Sequence, residues 1–201
     1  MSPDEHVLAV ARSLYDRGLT PGSSGNVSAL AEDGGVVITP TGSCLGRLGA
    51  EDLVHLSEDG TPTRGGRPSK ELPLHLALYD ARPEVRAVVH LHSAYSVAVS
   101  CLAGLDVDDT LPALTGYHAM RVGRVPLVAY HPPGSSDLAR AVRARAVDAH
   151  ALLLANHGCV VGAADLEAAA DAAEQLEQTA QVMLMLHGRV VRPVDRGEER
   201  L

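Results

Sequence analysis

The sequence predicts an α/β protein of three layers, in which helices cover both faces of a mixed β-sheet. Two apolar runs near the N-terminus, residues 27–30 and 36–38, flank a glycine turn and predict a hairpin. Later apolar runs, at 85–92, 125–128 and 151–155, are set apart from one another by stretches with helical spacing. A hairpin followed by strands that alternate with helices is typical of a mixed sheet between two helical layers.

The individual elements follow from spacing, caps and breakers. Ser2 and Glu5 form a capping-box pattern with a proline at the first helical position, so the first helix begins there. Pro83 ends a helix that begins near Leu72, and residues 69–71 are expected to be exposed just before it. We predict helices near 3–17, 72–79, 93–102, 136–149 and 165–187, and strands at 27–30, 36–38, 53–56, 85–92, 125–128, 151–155 and 159–161.

The length of 201 residues suits a single domain spanning 1–201, with a charged tail after about Gly188 that is expected to fray. The run at 125–128 contains a proline, which predicts a strand at the edge of the sheet. Residues 103–124 show no clear pattern.

Composition narrows the classes of partner. The chain has 17 basic and 25 acidic residues and a formal net charge of −8, which argues against nucleic acid or an anionic membrane. The three cysteines lie far apart and outside any C-x-x-C pair, so neither a disulfide framework nor a thiolate zinc site is indicated. A basic, apolar leader pattern and a run of 18 apolar residues are both lacking. We therefore expect a cytoplasmic protein with neither membrane nor nucleic-acid partners.

A paired-histidine motif, His90-Leu91-His92, ends the apolar run at 85–89. Side chains alternate between the two faces of a strand, so His90 and His92 point to one side while Leu91 turns into the core. Two imidazoles on one face are half of a metal site. A hydrogen-bonded pair without a metal is the alternative interpretation of this motif.

A third histidine favours the metal. His157 follows another apolar run and precedes Gly158, which allows a backbone or ligand to approach closely. Glu71 can add a carboxylate oxygen. Three neutral imidazoles, with or without a carboxylate, suit a zinc-like divalent ion that keeps one position for substrate. Such a site is typical of catalysis.

Three short segments have the chemistry of a phosphate site. The glycine turns expose backbone N–H groups, asparagine and threonine side chains add donors, and a serine and a lysine lie beside a helix start. Each alone is ordinary turn chemistry. The segments are Gly25-Asn26, Thr41-Gly42 and Ser69-Lys70.

Taken in order, five segments resemble the class II aldolase/adducin family, over about residues 5–190. They are Gly25-Asn26-Val27-Ser28, Thr39-Pro40-Thr41-Gly42, Ser69-Lys70-Glu71, His90-Leu91-His92 and Asn156-His157-Gly158. The resemblance implies a helix-covered mixed sheet and a homotetramer with active sites between subunits. It also implies one divalent metal ion per subunit, with Zn²⁺ expected and Mn²⁺ or Co²⁺ as alternatives.

The resemblance also implies roles for particular residues. Glu71 is expected to be the acid/base and also to touch the metal. The implied metal ligands are Glu71, His90, His92 and His157. The implied phosphate pocket consists of Gly25, Asn26, Thr41, Gly42 and Ser69.

Lys70 stands where fuculose-phosphate aldolases of this family carry a serine. Together with 39–46, 68–71 and 120–128, it is similar to a branch that decarboxylates 3-oxo-tetronate 4-phosphate, a four-carbon keto acid, to dihydroxyacetone phosphate and carbon dioxide. That substrate carries a carboxylate as well as a phosphate, so Lys70 is expected to meet the second anion. A solvated lysine is the alternative.

The expected function is therefore metal-dependent decarboxylation through an enediolate whose charge the metal stabilises. A sugar-phosphate aldolase on the same scaffold is the alternative. A non-catalytic adducin-like interaction module is less favoured, because a binding module has no need of an open metal position.

Tyr117 lies near the position of a catalytic tyrosine in the aldolases of the family. The local spacing does not match cleanly, so a packed tyrosine is the alternative. His118 is a weaker candidate for the same role.

Overall fold

A mixed sheet of eight strands organises the chain in the computed structural model, which describes residues 2–194. Its strands are β1 (Asn26–Leu30), β2 (Val36–Ile38), β3 (Val54–Leu56), β4 (Pro62–Arg64), β5 (Ala87–Leu91), β6 (Leu127–Val128), β7 (Ala151–Leu154) and β8 (Gly158–Ala163). They lie side by side in the order β4-β3-β2-β1-β5-β8-β7-β6. The β6–β7 pair is parallel and the other pairs are antiparallel, so the mixed sheet expected from the sequence is confirmed.

Helices cover both faces of this sheet. They are α1 (Pro3–Asp16), α2 (Leu72–Ala81), α3 (Ala94–Ser100), α4 (Gly116–Arg121), α5 (Ser136–Ala146) and α6 (Leu166–Met185). Adjacent residues of β5 separate the two layers: Val89 packs in the core beneath α1 and α6, and Val88 packs in the core beneath α2 and α5. The period of two along a strand therefore produces the predicted three layers.

The start of α2 was predicted correctly, but its surroundings were not. The helix begins at Leu72, directly after Glu71. Ser69 and Glu71 are only 6% and 3% exposed, so the prediction that residues 69–71 are exposed is wrong for both, and only Lys70 faces solvent. The segment is buried because Ser69 N–H donates to the carbonyl oxygen of Thr39 at 3.2 Å, which ties it to the strand layer.

Other differences from the sequence prediction lie at the periphery. The prediction that 125–128 forms an edge strand is confirmed by β6, but β4 and a short 3₁₀ helix at Leu45–Arg47 were missed. The stretch 103–124 contains α4, whose first turn is capped by the Thr115 hydroxyl accepting from His118 N–H. Polar, exposed sequence at β4 carries no alternating pattern that could have predicted a strand.

The segment after α6 is exposed and irregular through residue 194. It is tied to the body at one point, where Val194 N–H donates to the carbonyl oxygen of Ala113 at 2.7 Å. Fraying was predicted for the chain after about Gly188, and residues 195–201 of that tail lie outside the described part. Within the described part, none of the helices is both long and apolar enough to cross a lipid bilayer.

Candidate metal centre and substrate cleft

Three histidine rings and one carboxylate form a compact cluster, the histidine cluster: Glu71, His90, His92 and His157. The ligand atoms that they offer all lie within 4.8 Å of one another. The three ring centroids form a nearly equilateral triangle with sides of 4.8, 4.9 and 4.8 Å. This arrangement brings together all four side chains that the sequence suggested as metal ligands.

Three structural elements supply the four members of the cluster. His90 lies on β5 at the sheet centre and His92 just beyond its end, as the alternation along a strand predicts. Glu71 is the residue directly before α2, and Ser69 Oγ accepts from its N–H at 3.2 Å. His157 lies in the tight turn between β7 and β8. The fold thus brings a strand end, a helix start and a hairpin turn together at one point.

The turn that carries His157 depends on its two neighbours. Asn156 adopts φ of 55°, in the left-handed region that asparagine tolerates better than most residues. Gly158 packs against β5 so closely that a Cβ there would lie 2.3 Å from the carbonyl oxygen of Leu91. A side chain at this position would push the hairpin away from the strand and move His157 out of the cluster.

The orientation of His90 and the pKa of His92 suit metal binding. His90 Nδ1 lies 2.7 Å from the carbonyl oxygen of Cys159, so this nitrogen is the donor and Nε2 faces the cluster. Burial, reinforced by His90 and His157, lowers the pKa of His92 to about 3. A neutral imidazole is the form that ligates a metal.

Glu71 sits between two histidines. Its Oε2 is 3.2 Å from His90 Nε2 and its Oε1 is 3.2 Å from His157 Nε2. Burial by itself raises the pKa of Glu71, but its close contacts with these two histidines outweigh burial and hold the pKa below its usual range. The carboxylate form is therefore the resting state.

The donor set fits a divalent cation on structural grounds. Despite their proximity, Glu71 Oε1 and His157 Nε2 are buried without a hydrogen-bond partner. A buried polar atom left unsatisfied costs about 1–3 kcal/mol, which coordination by a metal ion would remove. Three imidazole nitrogens and a carboxylate oxygen are typical of a catalytic zinc-like site.

A cleft of about 490 Å³ opens next to the cluster. Glu71 and His92 form one end of it, and loops with small polar side chains form the rest. All six residues predicted for phosphate and substrate binding line this cleft, and Ser23 and Ser24 line it as well without having been predicted. The six predicted residues are Gly25, Asn26, Thr41, Gly42, Ser69 and Lys70.

Two close approaches hold the cleft loops in place. Gly25 has φ of 76°, and a Cβ there would meet Thr20 Oγ1 at 2.7 Å and the His90 carbonyl oxygen at 3.0 Å. Gly134 lies against the backbone of Lys70, since a Cβ there would lie 2.7 Å from its carbonyl oxygen. The loop before α5 thereby packs against the backbone of Lys70.

Tyr117 is not brought to this cleft. It lies on α4 with 64% of its surface exposed, outside the residues that line the cleft of its own subunit. His118, the weaker candidate, is fully buried behind it. Neither position brings a side chain to the cluster within one subunit.

Sequence reasoning missed a polar chain behind Glu71. Asn26 Nδ2 donates to Glu71 Oε2 at 3.1 Å, and Asn26 Oδ1 contacts the Nε2 of His75, which is fully buried. Ser28 Oγ lies 2.7 Å from His75 Nδ1 and 2.6 Å from the Tyr79 hydroxyl. The available signal was the spacing of four between Glu71, His75 and Tyr79 on one helix.

Sequence reasoning also missed Glu177, which steadies the segment after His92. Its Oε1 accepts from Tyr95 N–H at 2.8 Å and its Oε2 accepts from Ser96 N–H at 2.7 Å. These are free N–H groups of the first turn of α3, which a carboxylate satisfies well. A glutamate from α6 therefore holds the helix that follows the paired-histidine motif.

His75 makes folding stability depend on pH. Burial, assisted by His90, lowers the pKa of His75 to about 3, below the value of about 6.5 in an unfolded chain. Between these values the unfolded chain binds a proton that the folded protein does not, so stability is lost as the pH falls. We expect His75 to contribute a loss approaching ~1.4 kcal/mol per pH unit in this window.

Urea unfolding of the metal-free protein between pH 7 and pH 4 measures this dependence. His75→Gln removes the titrating group, so the free energy of unfolding of this variant should fall less steeply with decreasing pH than that of the wild type. Identical slopes for the two proteins would contradict the prediction.

The sequence model of the family described as Class II Aldolase and Adducin N-terminal domain matches residues 5–184. The chain belongs to this family. The match spans the histidine cluster and every loop that lines the cleft. The family expected from the five sequence segments is thus confirmed.

Two members of this family with named activities resemble the chain over most of its length. A 3-oxo-tetronate 4-phosphate decarboxylase of Haemophilus influenzae is 44% identical over 192 residues, which are 96% of this chain and 91% of that protein. An L-fuculose phosphate aldolase of Methanococcus maripaludis is 37% identical over 181 residues, 90% of this chain and 95% of that protein. These relatives are carbon–carbon lyases.

Solved structures agree with this placement. The crystal structure of YgbL from Escherichia coli superimposes with a TM-score of 0.92 at 44% identity, covering 96% of this chain and 93% of that chain. An L-fuculose 1-phosphate aldolase structure gives a TM-score of 0.85 at 28% identity, covering 95% and 90%. The α/β architecture predicted from the sequence is that of the class II aldolase fold.

Proposed function

We propose that this chain is a metal-dependent carbon–carbon lyase that decarboxylates 3-oxo-tetronate 4-phosphate to dihydroxyacetone phosphate and carbon dioxide. The observation that carries the proposal is a single cleft that joins the histidine cluster, phosphate-type turns and the free cation of Lys70. The relative from Haemophilus influenzae, which is named for this activity, supports it at 44% identity.

The histidine cluster would hold one divalent ion per subunit, and we propose Zn²⁺, with Mn²⁺ or Co²⁺ as alternatives. Its ligands would be His90, His92 and His157, with Glu71 close enough to add an oxygen. When bound, the ion supplies Lewis-acid stabilisation of the negative charge that develops on the ketone oxygen as the carboxylate leaves.

The protein's own groups bind the substrate at both ends. We assign the phosphate to the turns at Gly25-Asn26 and Thr41-Gly42 and to the Ser69 hydroxyl, which all face the cleft. Lys70 lines the same cleft with its side chain exposed, and we assign it to the substrate carboxylate. Together these contacts orient the bond that breaks.

Glu71 moves the proton that the reaction requires. Loss of carbon dioxide leaves an electron pair on the neighbouring carbon, and this carbon must gain a proton to give dihydroxyacetone phosphate. Glu71 lines the cleft beside the cluster in its carboxylate form, so it can receive a proton from water in the cleft and pass it to this carbon, and solvent supplies the one proton that the reaction consumes. General acid–base catalysis of this kind contributes about 10²–10⁴-fold in rate.

The decisive assay incubates the zinc-loaded protein with 3-oxo-tetronate 4-phosphate and, separately, with L-fuculose 1-phosphate. Formation of dihydroxyacetone phosphate and carbon dioxide from the keto acid alone is the expected result. Preferential cleavage of the fuculose phosphate would assign the chain to the aldolases instead. No turnover of either substrate by metal-loaded protein would favour an adducin-like binding role.

Lys70→Ser tests the assignment of the second anion. If Lys70 binds the carboxylate, this change should lower kcat/KM for the keto-acid phosphate. The expected loss of transition-state stabilisation is ~1.5–3 kcal/mol, the value of a lost charge-assisted hydrogen bond. Inhibition by dihydroxyacetone phosphate, which has the phosphate but no carboxylate, should be affected much less. The comparison of kcat/KM with the inhibition constant isolates the carboxylate contact.

The matched control for this variant is Arg67→Ser, which removes an exposed cation just outside the cleft. We expect it to leave both constants near their wild-type values. Equal losses for substrate and inhibitor in Lys70→Ser would assign Lys70 to the phosphate. An unchanged kcat/KM would mean that the lysine is only solvated.

We propose in addition that the chain acts in the cytoplasm as a homotetramer with active sites between subunits. Tyr117 is exposed and lies outside its own cleft, so a catalytic role for Tyr117 requires the cleft of a neighbouring subunit. Light scattering of the purified protein would measure the assembly, and a monomer with full activity would contradict it.

A further inference from the structure

A ladder of polar side chains runs away from the histidine cluster between β1 and α2. The strand contributes Asn26 and Ser28, two residues apart, and the helix contributes Glu71, His75 and Tyr79, four residues apart. Side chains two apart on a strand and four apart on a helix face the same way, so the two sets interleave. The resulting order is Glu71, Asn26, His75, Ser28, Tyr79.

Every hydrogen bond of this ladder has a fixed direction. A carboxylate can only accept, so the Asn26 amide must turn its NH₂ group to Glu71 Oε2 and its oxygen to His75. His75 Nε2 must then carry the proton. His75 is fully buried and its ring nitrogens face Asn26 Oδ1 and Ser28 Oγ rather than a carboxylate, so the ring is neutral and its Nδ1 accepts.

The same reasoning reaches the outer end of the ladder. Ser28 donates to His75 Nδ1 at 2.7 Å, which leaves its oxygen free to accept from the Tyr79 hydroxyl at 2.6 Å. Burial raises the pKa of Tyr79, so this hydroxyl keeps its proton. Each hydrogen bond of the ladder therefore donates in the same direction, from the Tyr79 hydroxyl toward the Glu71 carboxylate.

We propose that His75, with Ser28 and Tyr79, is a positioning system that acts through Asn26 on Glu71. The ladder fixes the rotation of the Asn26 amide, and the amide holds Glu71 Oε2 so that Oε1 turns toward His157 Nε2, 3.2 Å away. The ladder therefore fixes which carboxylate oxygen faces His157. This inference rests on the proposed role of Glu71 beside a metal ion.

The ladder orients Glu71 and does not carry protons to it. An amide group neither loses nor gains a proton at ordinary pH, so Asn26 interrupts any transfer between His75 and Glu71. Outer hydrogen-bond partners of this type typically contribute 10–100-fold to metal affinity or activity by fixing the orientation of a ligand. His75, Ser28 and Tyr79 are themselves neither members of the histidine cluster nor among the residues that line the cleft.

Zinc affinity, measured by competition with a chelator in the absence of substrate, tests the proposal. His75→Leu, which removes both ring nitrogens, is expected to weaken Zn²⁺ binding and turnover by about 10–100-fold. His75→Gln keeps an N–H donor for Asn26 and should recover most of the loss. In an Asn26→Ala background, His75→Leu should cause no further loss, because the amide through which it acts is gone.

His150→Leu is the matched control, because His150 is half-buried and lies near the carbonyl oxygens of Gly162 and Val122, remote from the ladder. It should lower Tm without changing zinc affinity. Unchanged zinc affinity in His75→Leu, or an undiminished effect in the Asn26→Ala background, would overturn the proposal.

Two further outcomes are distinguishable. If His75→Leu does not fold, Tyr79→Phe removes a single hydroxyl from the end of the ladder, and unchanged zinc affinity and turnover in that variant would overturn the proposal. A wild-type protein that binds zinc but does not decarboxylate the keto acid would contradict the proposed function. In that case the zinc affinities of the ladder variants would still test whether His75 positions Glu71.

Discussion

Replacement of Glu71 by glutamine is expected to reduce turnover of the keto-acid phosphate by about 10²–10⁴-fold. Glutamine has nearly the same shape and can still accept from Asn26 Nδ2, which contacts Glu71 Oε2 at 3.1 Å. It has no proton to exchange with the substrate. The loss should therefore appear in kcat, and metal analysis should show that the three histidines still retain the ion.

The control for this variant is Glu177→Gln, because Glu177 is the other buried glutamate of the described chain. Its carboxylate satisfies the first turn of α3 and faces no cleft residue. We expect a lower Tm for Glu177→Gln and a far smaller loss of turnover than for Glu71→Gln. A near-normal rate in Glu71→Gln would mean that another group moves the proton, and Tyr117 of a neighbouring subunit would be examined next.

Replacement of His92 by alanine is expected to lower the metal content of the purified protein. His92 is the cluster histidine that lines the cleft, and it lies beyond the end of β5, so the change leaves the sheet intact. Loss of a direct ligand should weaken Zn²⁺ binding by more than the ~10–100-fold caused by loss of an outer partner. Chelator competition and metal analysis of the purified variant measure this effect.

A second alanine variant distinguishes ligand loss from general histidine loss. His150→Ala removes a half-buried imidazole whose two nitrogens lie near the backbone oxygens of Gly162 and Val122, outside the cluster, and the variant should bind zinc as the wild type does. Full metal occupancy together with full activity in His92→Ala would show that the three histidines do not form one site.

Part of the histidine cluster could be predicted from the sequence because its geometry follows local rules. His90 and His92 share a side of the sheet because side chains on a strand alternate, and no tertiary information is needed for this step. His157 was identifiable from its place after an apolar run. That His157 lies beside His90 and His92 follows from the pairing of β5 with β8, in which Leu91 is opposite Cys159. The sequence does not reveal this register, so the prediction depended on the family resemblance.

The ladder behind Glu71 was not accessible in the same way. It exists because Asn26 lies opposite His90 in the pairing of β1 with β5, which joins residues far apart in the chain. The burial of Glu71 likewise comes from the contact between the segment before α2 and the strand layer. Such effects depend on tertiary packing, which overrides the local signal of a polar segment before a helix.

The cleft is built partly from regular secondary structure, which carries the histidine cluster, and partly from loops, which carry most of the substrate-binding residues. The type of reaction and the choice of substrate therefore depend on different parts of the chain. The histidine cluster belongs to a strand end, a helix start and a hairpin turn, whereas the remaining lining comes from loops at 21–25, 40–42 and 69–70 and from Asn26 at the start of β1. Loops accept substitution more readily than the scaffold that carries them. Changes at Ser23 and Ser24 are therefore a route by which selection or engineering can retarget the enzyme to other phosphorylated keto acids while its lyase chemistry is retained.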